Sequence, residues 1–280
     1  MSRPILLILT GLAGCTGPDP VPRAKGTTSP PATTPSELEG PSPVWDADAA
    51  VSALAAIPEL PLAGQVLDAY LDAMAWGDDN CPGSETQMAG ITFTGCTASS
   101  GVLYWGIADY RDESEVDGDT VRTRTALGAD FEIVFVDGRH FEAGGSAGLG
   151  LEEAAGRAAV WHSEVKGTWW DTSREGALGA GVSSTLAASA SADGGEVVLE
   201  GGVGMGDLAV AFSDVRFPVG CDDQPIGTFR VRDPVGYWYS LEFPEPCGSC
   251  AKLGFGDTSL GESCVDLRAI AGLVRSGFGI

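Results

Sequence analysis

The order of apolar and polar positions divides the chain into a short helical part and a long stranded part. Trp45 to Ile57 is alanine-rich, and Val51, Leu54 and Ile57 recur there at helical spacing. Pro61 then opens a stretch in which Leu62, Val66, Leu67, Tyr70, Leu71 and Met74 form one helical stripe. Such a stripe reads as core packing, and Gly77 reads as the C-terminal cap of that helix. Beyond Cys81 the period changes to two. Leu103, Trp105 and Ile107 alternate, as do Phe131, Ile133 and Phe135, and Leu208, Val210 and Phe212. Tyr237, Tyr239, Leu241 and Phe243 give the longest clean alternation. Period two means one buried face and one wetter face, which suits antiparallel sheet. Asp117-Gly118, Asp137-Gly138 and Asp193-Gly194 are hairpin turn signals. A last amphipathic piece, Val265 to about Arg275, predicts a short closing helix. No long helical run interrupts the strands, so a parallel α/β fold is disfavoured. The pattern predicts a mainly β domain of roughly ten or more antiparallel strands, as a meander, sandwich or barrel, behind a small helical segment at about 45–77. No fixed internal period supports a propeller.

The first residues belong to neither texture. One positive residue, Arg3, precedes the apolar run Ile5 to Leu9, and small residues lead to Cys15. Those are the parts of a secretory signal, and the run is far shorter than the roughly 20 residues a spanning helix needs. Leu12-Ala13-Gly14-Cys15 resembles the lipobox of bacterial lipoproteins. The resemblance implies cleavage after residue 14 and a diacylglyceryl group on the Cys15 thiol, with further acylation of the new amino terminus. Two or more acyl chains anchor firmly where one is marginal. By the same resemblance, Thr16 in place of an aspartate implies the outer membrane rather than inner-membrane retention. From Cys15 to Val44 the chain is rich in Pro, Thr, Ser and Gly and nearly empty of large apolar residues. Such a segment cannot offset its ordering entropy by burial, and its prolines favour a semi-stiff spacer at about 3.1 Å per residue. The expected organisation is a signal peptide over 1–14, a disordered tether over 15–44 and a folded body over 45–280.

Charge narrows the choice of partner. Lys+Arg is 16 against Asp+Glu 39, a net charge of −23. Nucleic-acid backbones recruit clustered Lys and Arg, so this composition argues against them. It also argues against direct adsorption to anionic lipid and leaves lipid on Cys15 as the membrane contact. Acidity of this kind mostly serves solubility.

Cysteine usage points to an oxidising compartment. Apart from Cys15 there are Cys81, Cys96, Cys221, Cys247, Cys250 and Cys264, an even number that favours disulfides in an exported chain. Cys221 and Cys247 are nearly symmetric about the turn Asp233-Pro234-Val235-Gly236, and Cys250 and Cys264 are symmetric about Asp257. Cys81 and Cys96 enclose a short loop. Hairpin geometry therefore predicts the sequential pairing 81–96, 221–247 and 250–264. Two alternatives use the same residues: a redox dithiol at Cys247-Gly248-Ser249-Cys250, or zinc on Cys221, Cys247, Cys250 and Cys264. The first lacks a thioredoxin-like βαβ setting, and the second has loose spacing.

Candidate chemistry is sparse. The two histidines, His140 and His162, belong to no H-E-x-x-H motif and read as strand residues at a sheet face. Gly144-Gly145-Ser146-Ala147-Gly148 matches G-x-S-x-G. That motif works where a strand turns sharply into a helix, and its flanks here are β-patterned. Asp109, Asp112, Glu113, Glu115, Asp117 and Asp119 form an acidic run. It reads either as a calcium-binding set without the EF-hand pattern or as an acidic hairpin tip. Asp78-Asp79-Asn80 and Asp222-Asp223 read as turn residues. Trp161, Trp169 and Trp170 flank a lysine-containing strand, with Trp105 and Trp238 elsewhere. Exposed, such rings stack on sugars or partners; buried, they are core. No catalytic residue, metal ligand or cofactor is assigned.

Asp78-Asp79-Asn80-Cys81-Pro82, Gly95-Cys96, Asp233-Pro234-Val235-Gly236-Tyr237-Trp238 and Cys247-Gly248-Ser249-Cys250 resemble segments of cysteine-containing lipoproteins of myxobacteria and related high-GC bacteria. That family has no assigned activity, so the resemblance brings no active-site residues. The expectation is a lipid-anchored envelope protein that binds a partner or contributes structure. A tethered hydrolase of envelope polymers or sugars and a calcium-dependent adhesion module are the alternatives.

Overall fold

The computed structural model describes residues 44–55, 57, 60–82, 91–172, 182–206, 208–221, 224–244 and 247–280. The lipobox, almost all of the tether and Asp222-Asp223 lie outside them. Two helices come first, α1 (Ala47–Ala55) and α2 (Ala63–Met74). Then follow β1 (Ile91–Thr97), β2 (Leu103–Asp117), β3 (Thr120–Val134), β4 (His140–Ala154), β5 (Val160–Asp171) and β6 (Val182–Ser191). The run continues with β7 (Val197–Met205), β8 (Leu208–Phe217), β9 (Ile226–Arg232), β10 (Trp238–Phe243), β11 (Cys250–Phe255) and β12 (Thr258–Cys264). Helix α3 (Arg268–Phe278) closes the chain.

The strands form one 12-stranded antiparallel sheet in which each strand pairs with its sequence neighbours. Of the architectures open to the pattern, the meander is the one adopted. The three turn signals Asp117-Gly118, Asp137-Gly138 and Asp193-Gly194 join β2 to β3, β3 to β4 and β6 to β7. The helices pack on one face, here called the inner face: α2 on β3 to β5, α3 on β6 and β7, and α1 on β9 and β12. The large rings of Tyr104, Phe141, Trp169, Phe212, Phe229 and Tyr239 are fully buried, each contributing about 1.5–3 kcal/mol of burial.

Helix α2 lies across the strands. Its first N–H, on Ala63, is accepted by the buried hydroxyl of Ser163 on β5 at 2.8 Å. Near its other end the Ala73 carbonyl accepts the hydroxyl of Tyr104 on β2 at 2.8 Å. The Leu62 side chain offers no acceptor, and Gln65 of the helix accepts only the Leu62 N–H, at 3.2 Å, so for Ala63 the sheet supplies the acceptor that a Ser or Asp would supply locally. Tyr70 fixes the middle, with its ring 5.8 Å from Tyr110 and 5.6 Å from Phe131.

Several expectations are corrected here. Helix α2 ends at Met74 with Ala75 as its cap in the right-handed region, so Gly77 is not the cap. Gly77 instead lets the chain fold back: a Cβ there would meet Pro82 at 2.5 Å and the Cys81 carbonyl at 2.9 Å. Leu71, at the margin of the predicted stripe, is exposed. Helix α3 begins three residues later than Val265 and ends on Gly279 in the left-handed region. The largest correction concerns Leu103, Trp105 and Ile107. They do share one face of β2, but it is the exposed one, and Tyr104 and Ala108 face the core. Burial is decided by which face meets α2, and that contact leaves no trace in alternation.

Bare backbone brings the inner face of β4 and β5 together. Gly145 and Gly167 are directly opposite. A Cβ on Gly167, whose φ is +113°, would lie 2.1 Å from the Gly144 carbonyl oxygen, and one on Gly145 would lie 2.0 Å from that of Lys166. Only glycine fits such an approach.

The disulfides are Cys81–Cys96, Cys221–Cys247 and Cys250–Cys264, the sequential pairing predicted from a short enclosed loop for the first and turn symmetry for the other two. The first ties the loop after α2 to β1. The second joins the β8–β9 and β10–β11 connections, and the third staples β11 to β12 at a directly opposed pair. Cys247 and Cys250 have different partners, so neither a dithiol between them nor a four-cysteine zinc site is formed. Among the described residues no helix is long and apolar enough to cross a membrane.

Candidate functional site

The inner face is occupied by the helices, so the face that remains for other molecules is the outer one. Its composition follows from register. The outward positions of β4 are Glu142, Gly144, Ser146, Gly148, Gly150 and Glu152. Four of those six carry little or no side chain, which leaves a bare strip along the strand flanked by the side chains of β3 and β5.

At one end of the strip lies a groove of about 420 Å³ lined by Arg122, Arg124, Glu152, His162, Glu164 and Glu200 among others. Most of its charges are paired, while Glu200 accepts the Asp214 N–H at 2.9 Å. Arg122 binds Glu152 at 2.8 Å, Glu164 binds Lys166 at 2.5 Å, and Arg124 lies 3.7 Å from Glu164. The Arg124 guanidinium lies over Gly148, where a Cβ would be 2.8 Å from its Nη2.

At the other end, one register row crosses four strands. Trp105 on β2 opposes Glu132 on β3, Glu132 opposes Glu142 on β4, and Glu142 opposes Trp170 on β5. Trp105 is 52% exposed and Trp170 43% exposed. Three strand spacings place their backbones about 14 Å apart. Leu103 and Ile107 extend the Trp105 side into an apolar ridge, both also exposed. His140 packs edge-on against Trp170, with ring centres 5.1 Å apart. Its Nε2 is 3.6 Å from Glu142 and 3.9 Å from Glu132. Glutamates directly opposed on one face repel each other. Among the described residues, His140 is their one partner within ion-pair distance.

The remaining candidates separate. Ser146 sits in mid-strand, opposite Gly128 and Lys166. His162 opposes Gly150, four residues along β4 from Ser146, or about 13 Å, and His140 is about 20 Å away by the same rise. The strand-to-helix elbow and the histidine base of a serine hydrolase are thus both missing around Ser146. The acidic run is strung along the ribbon of β2 and β3 and does not converge. Asp109 is bound by Arg111 at 2.5 Å, and Asp112 accepts the Thr125 hydroxyl at 2.6 Å. Among the described residues no group of three His, Cys, Asp or Glu could hold a metal ion. Asp78 is a turn residue. It accepts the backbone N–H groups of Asn80, Cys81 and Ser99, and those bonds hold its carboxyl at about 2, below the ordinary 3.8. Of the tryptophans, Trp169 is buried, Trp45, Trp161 and Trp238 are half-buried, and Trp76, Trp105 and Trp170 are exposed, Trp76 in the turn after α2 and the other two on the sheet.

Alternation could have located Trp105 on the face of Leu103 and Ile107, but not shown that this face is open. The Trp105–Trp170 row joins residues 65 positions apart and is visible only through register. Comparison with known families, curated proteins and solved structures finds no match.

Proposed function

We propose that this chain is a lipid-anchored cell-envelope protein that holds a partner on the outer face of its sheet and performs no chemistry on it. The observation that carries the reading is the pair of exposed tryptophans, Trp105 and Trp170, on the face away from the helices. Large aromatic rings left in water across a sheet mark interaction surfaces. The lipobox resemblance at Leu12-Ala13-Gly14-Cys15 and the Pro- and Thr-rich segment behind it support a tethered body, with Thr16 favouring the outer membrane. Three disulfides suit an oxidising compartment.

The test has two parts. Intact mass of the chain purified from bacterial membranes should show lipid on Cys15 as the first residue and six thiols blocked until reduction. Cys15→Ser should move the protein out of the membrane fraction. Crosslinking in cells through a photoreactive residue at position 107 should then trap a partner that the double variant Trp105→Ala/Trp170→Ala loses. An unlipidated chain overturns the anchor, and trapping indifferent to the tryptophans overturns the binding face.

A further inference from the structure

We infer that the partner presents a basic, extended polypeptide segment to the row Trp105–Glu132–Glu142–Trp170, an inference that rests on the binding-face reading above. Several carboxylates on this face come with cations, Glu152 with Arg122, Glu164 with Lys166 and Asp109 with Arg111, whereas among the described residues Asp130, next to Glu132 along β3, and Glu200 have none in ion-pair distance. Glu132 and Glu142 are half-exposed and directly opposed, and neither has an arginine or lysine in ion-pair distance among the described residues. Opposed like charges cost stability. A cation supplied from outside relieves that cost and gains the negative ring faces of the flanking tryptophans.

The ridge Leu103–Trp105–Ile107 adds what a bare ion would not use, an apolar wall along β2 for the side chains between basic residues. A segment crossing the row from Trp105 to Trp170 spans about 14 Å, the reach of four or five extended residues. The net charge of −23 draws a basic segment in and repels acidic polymers.

The experiment is calorimetric titration of the full chain in detergent with three probes: an oligolysine peptide, its glutamine counterpart and a neutral oligosaccharide. Oligolysine should bind at least about tenfold more tightly than the glutamine peptide, and its affinity should fall with salt. Trp105→Ala, Trp170→Ala and Glu132→Gln/Glu142→Gln should each weaken oligolysine by about tenfold. Glu113→Gln/Glu115→Gln, which removes the same charge from the β2 ribbon, should leave it unchanged. Retained melting temperatures identify variants that still fold. Equal loss in both glutamate pairs would mean general attraction to an acidic protein and would overturn the inference. If the oligosaccharide or the glutamine peptide binds as well as oligolysine, and the tryptophan variants lose it, the binding face stands and its basic ligand falls. If no probe shows dependence on either tryptophan, both fall.

Discussion

The hydroxyl of Tyr239 donates to the buried carboxylate of Asp233 at 3.2 Å and accepts the backbone N–H groups of Val44 and Trp45 at 3.0 and 2.9 Å. The other Asp233 oxygen accepts the N–H groups of Val235, Gly236 and Tyr237, closing the β9–β10 turn. One buried carboxylate thus orders a hairpin and, through Tyr239, the point where the predicted tether meets the body. Tyr239→Phe should cost about 1–2 kcal/mol in chemical denaturation and should speed proteolytic cleavage around residue 45. Asp233→Ala should cost more, because it strands several N–H groups together. Unchanged cleavage in Tyr239→Phe would mean that the ring contact between Trp45 and Tyr239 alone holds this junction.

Ser163 caps α2 from a hundred residues away. Ser163→Ala should lower stability by about 1 kcal/mol, the usual cost of losing a helix cap. Ser163→Thr, which keeps the oxygen, should lose less if the added methyl fits. Denaturant midpoints at constant slope would show it.

The Gly145–Gly167 approach separates steric need from conformational preference. Gly167→Ala drives a Cβ against backbone that cannot yield, and should cost about 3 kcal/mol or more. Gly156→Ala, at a turn whose φ is also positive, +74°, with open space around it, should cost only about 1 kcal/mol. Similar losses at both sites would show that the sheet relaxes around residue 167.

Stability should fall at both ends of the pH scale. Burial raises Tyr70 and Tyr104 from the ordinary 10.0 to about 12. Folding therefore favours the neutral phenols, and their contribution is complete below pH 10 and lost as pH rises towards 12. Asp78 behaves oppositely: its contribution is present above the ordinary 3.8 and lost as pH falls towards about 2. Melting curves of Asp78→Asn should lose part of the acid dependence between those values, since Asp266, held at about 2 by its bonds to Arg268, keeps its own share, while the alkaline dependence should shrink in Tyr104→Phe.

Cys250 and Cys264 lie 14 positions apart, and Cys250→Ser/Cys264→Ser should cost about 3 kcal/mol through the freedom returned to the unfolded state. A much smaller loss would mean that the β11–β12 hairpin is already ordered in the unfolded chain.

What the sequence determined by itself was whatever is local. Alternation located β2, β3, β8 and β10, Asp-Gly pairs located three hairpins, symmetry about turns paired four cysteines and a short enclosed loop the other two, because turns and strand ladders connect residues near in sequence. Helical spacing placed α2 through Val66 and Tyr70 for the same reason. What only the tertiary structure decided was which face of each strand meets the helices. Trp105 reads like a core residue, with Leu103 and Ile107 at its own period, yet Tyr104 faces α2 and Trp105 faces water. The pleat sends neighbours to opposite sides but says nothing about which side is covered. The row from Trp105 through Glu132 and Glu142 to Trp170 likewise exists only once three successive registers are set, since no local interaction links the two tryptophans.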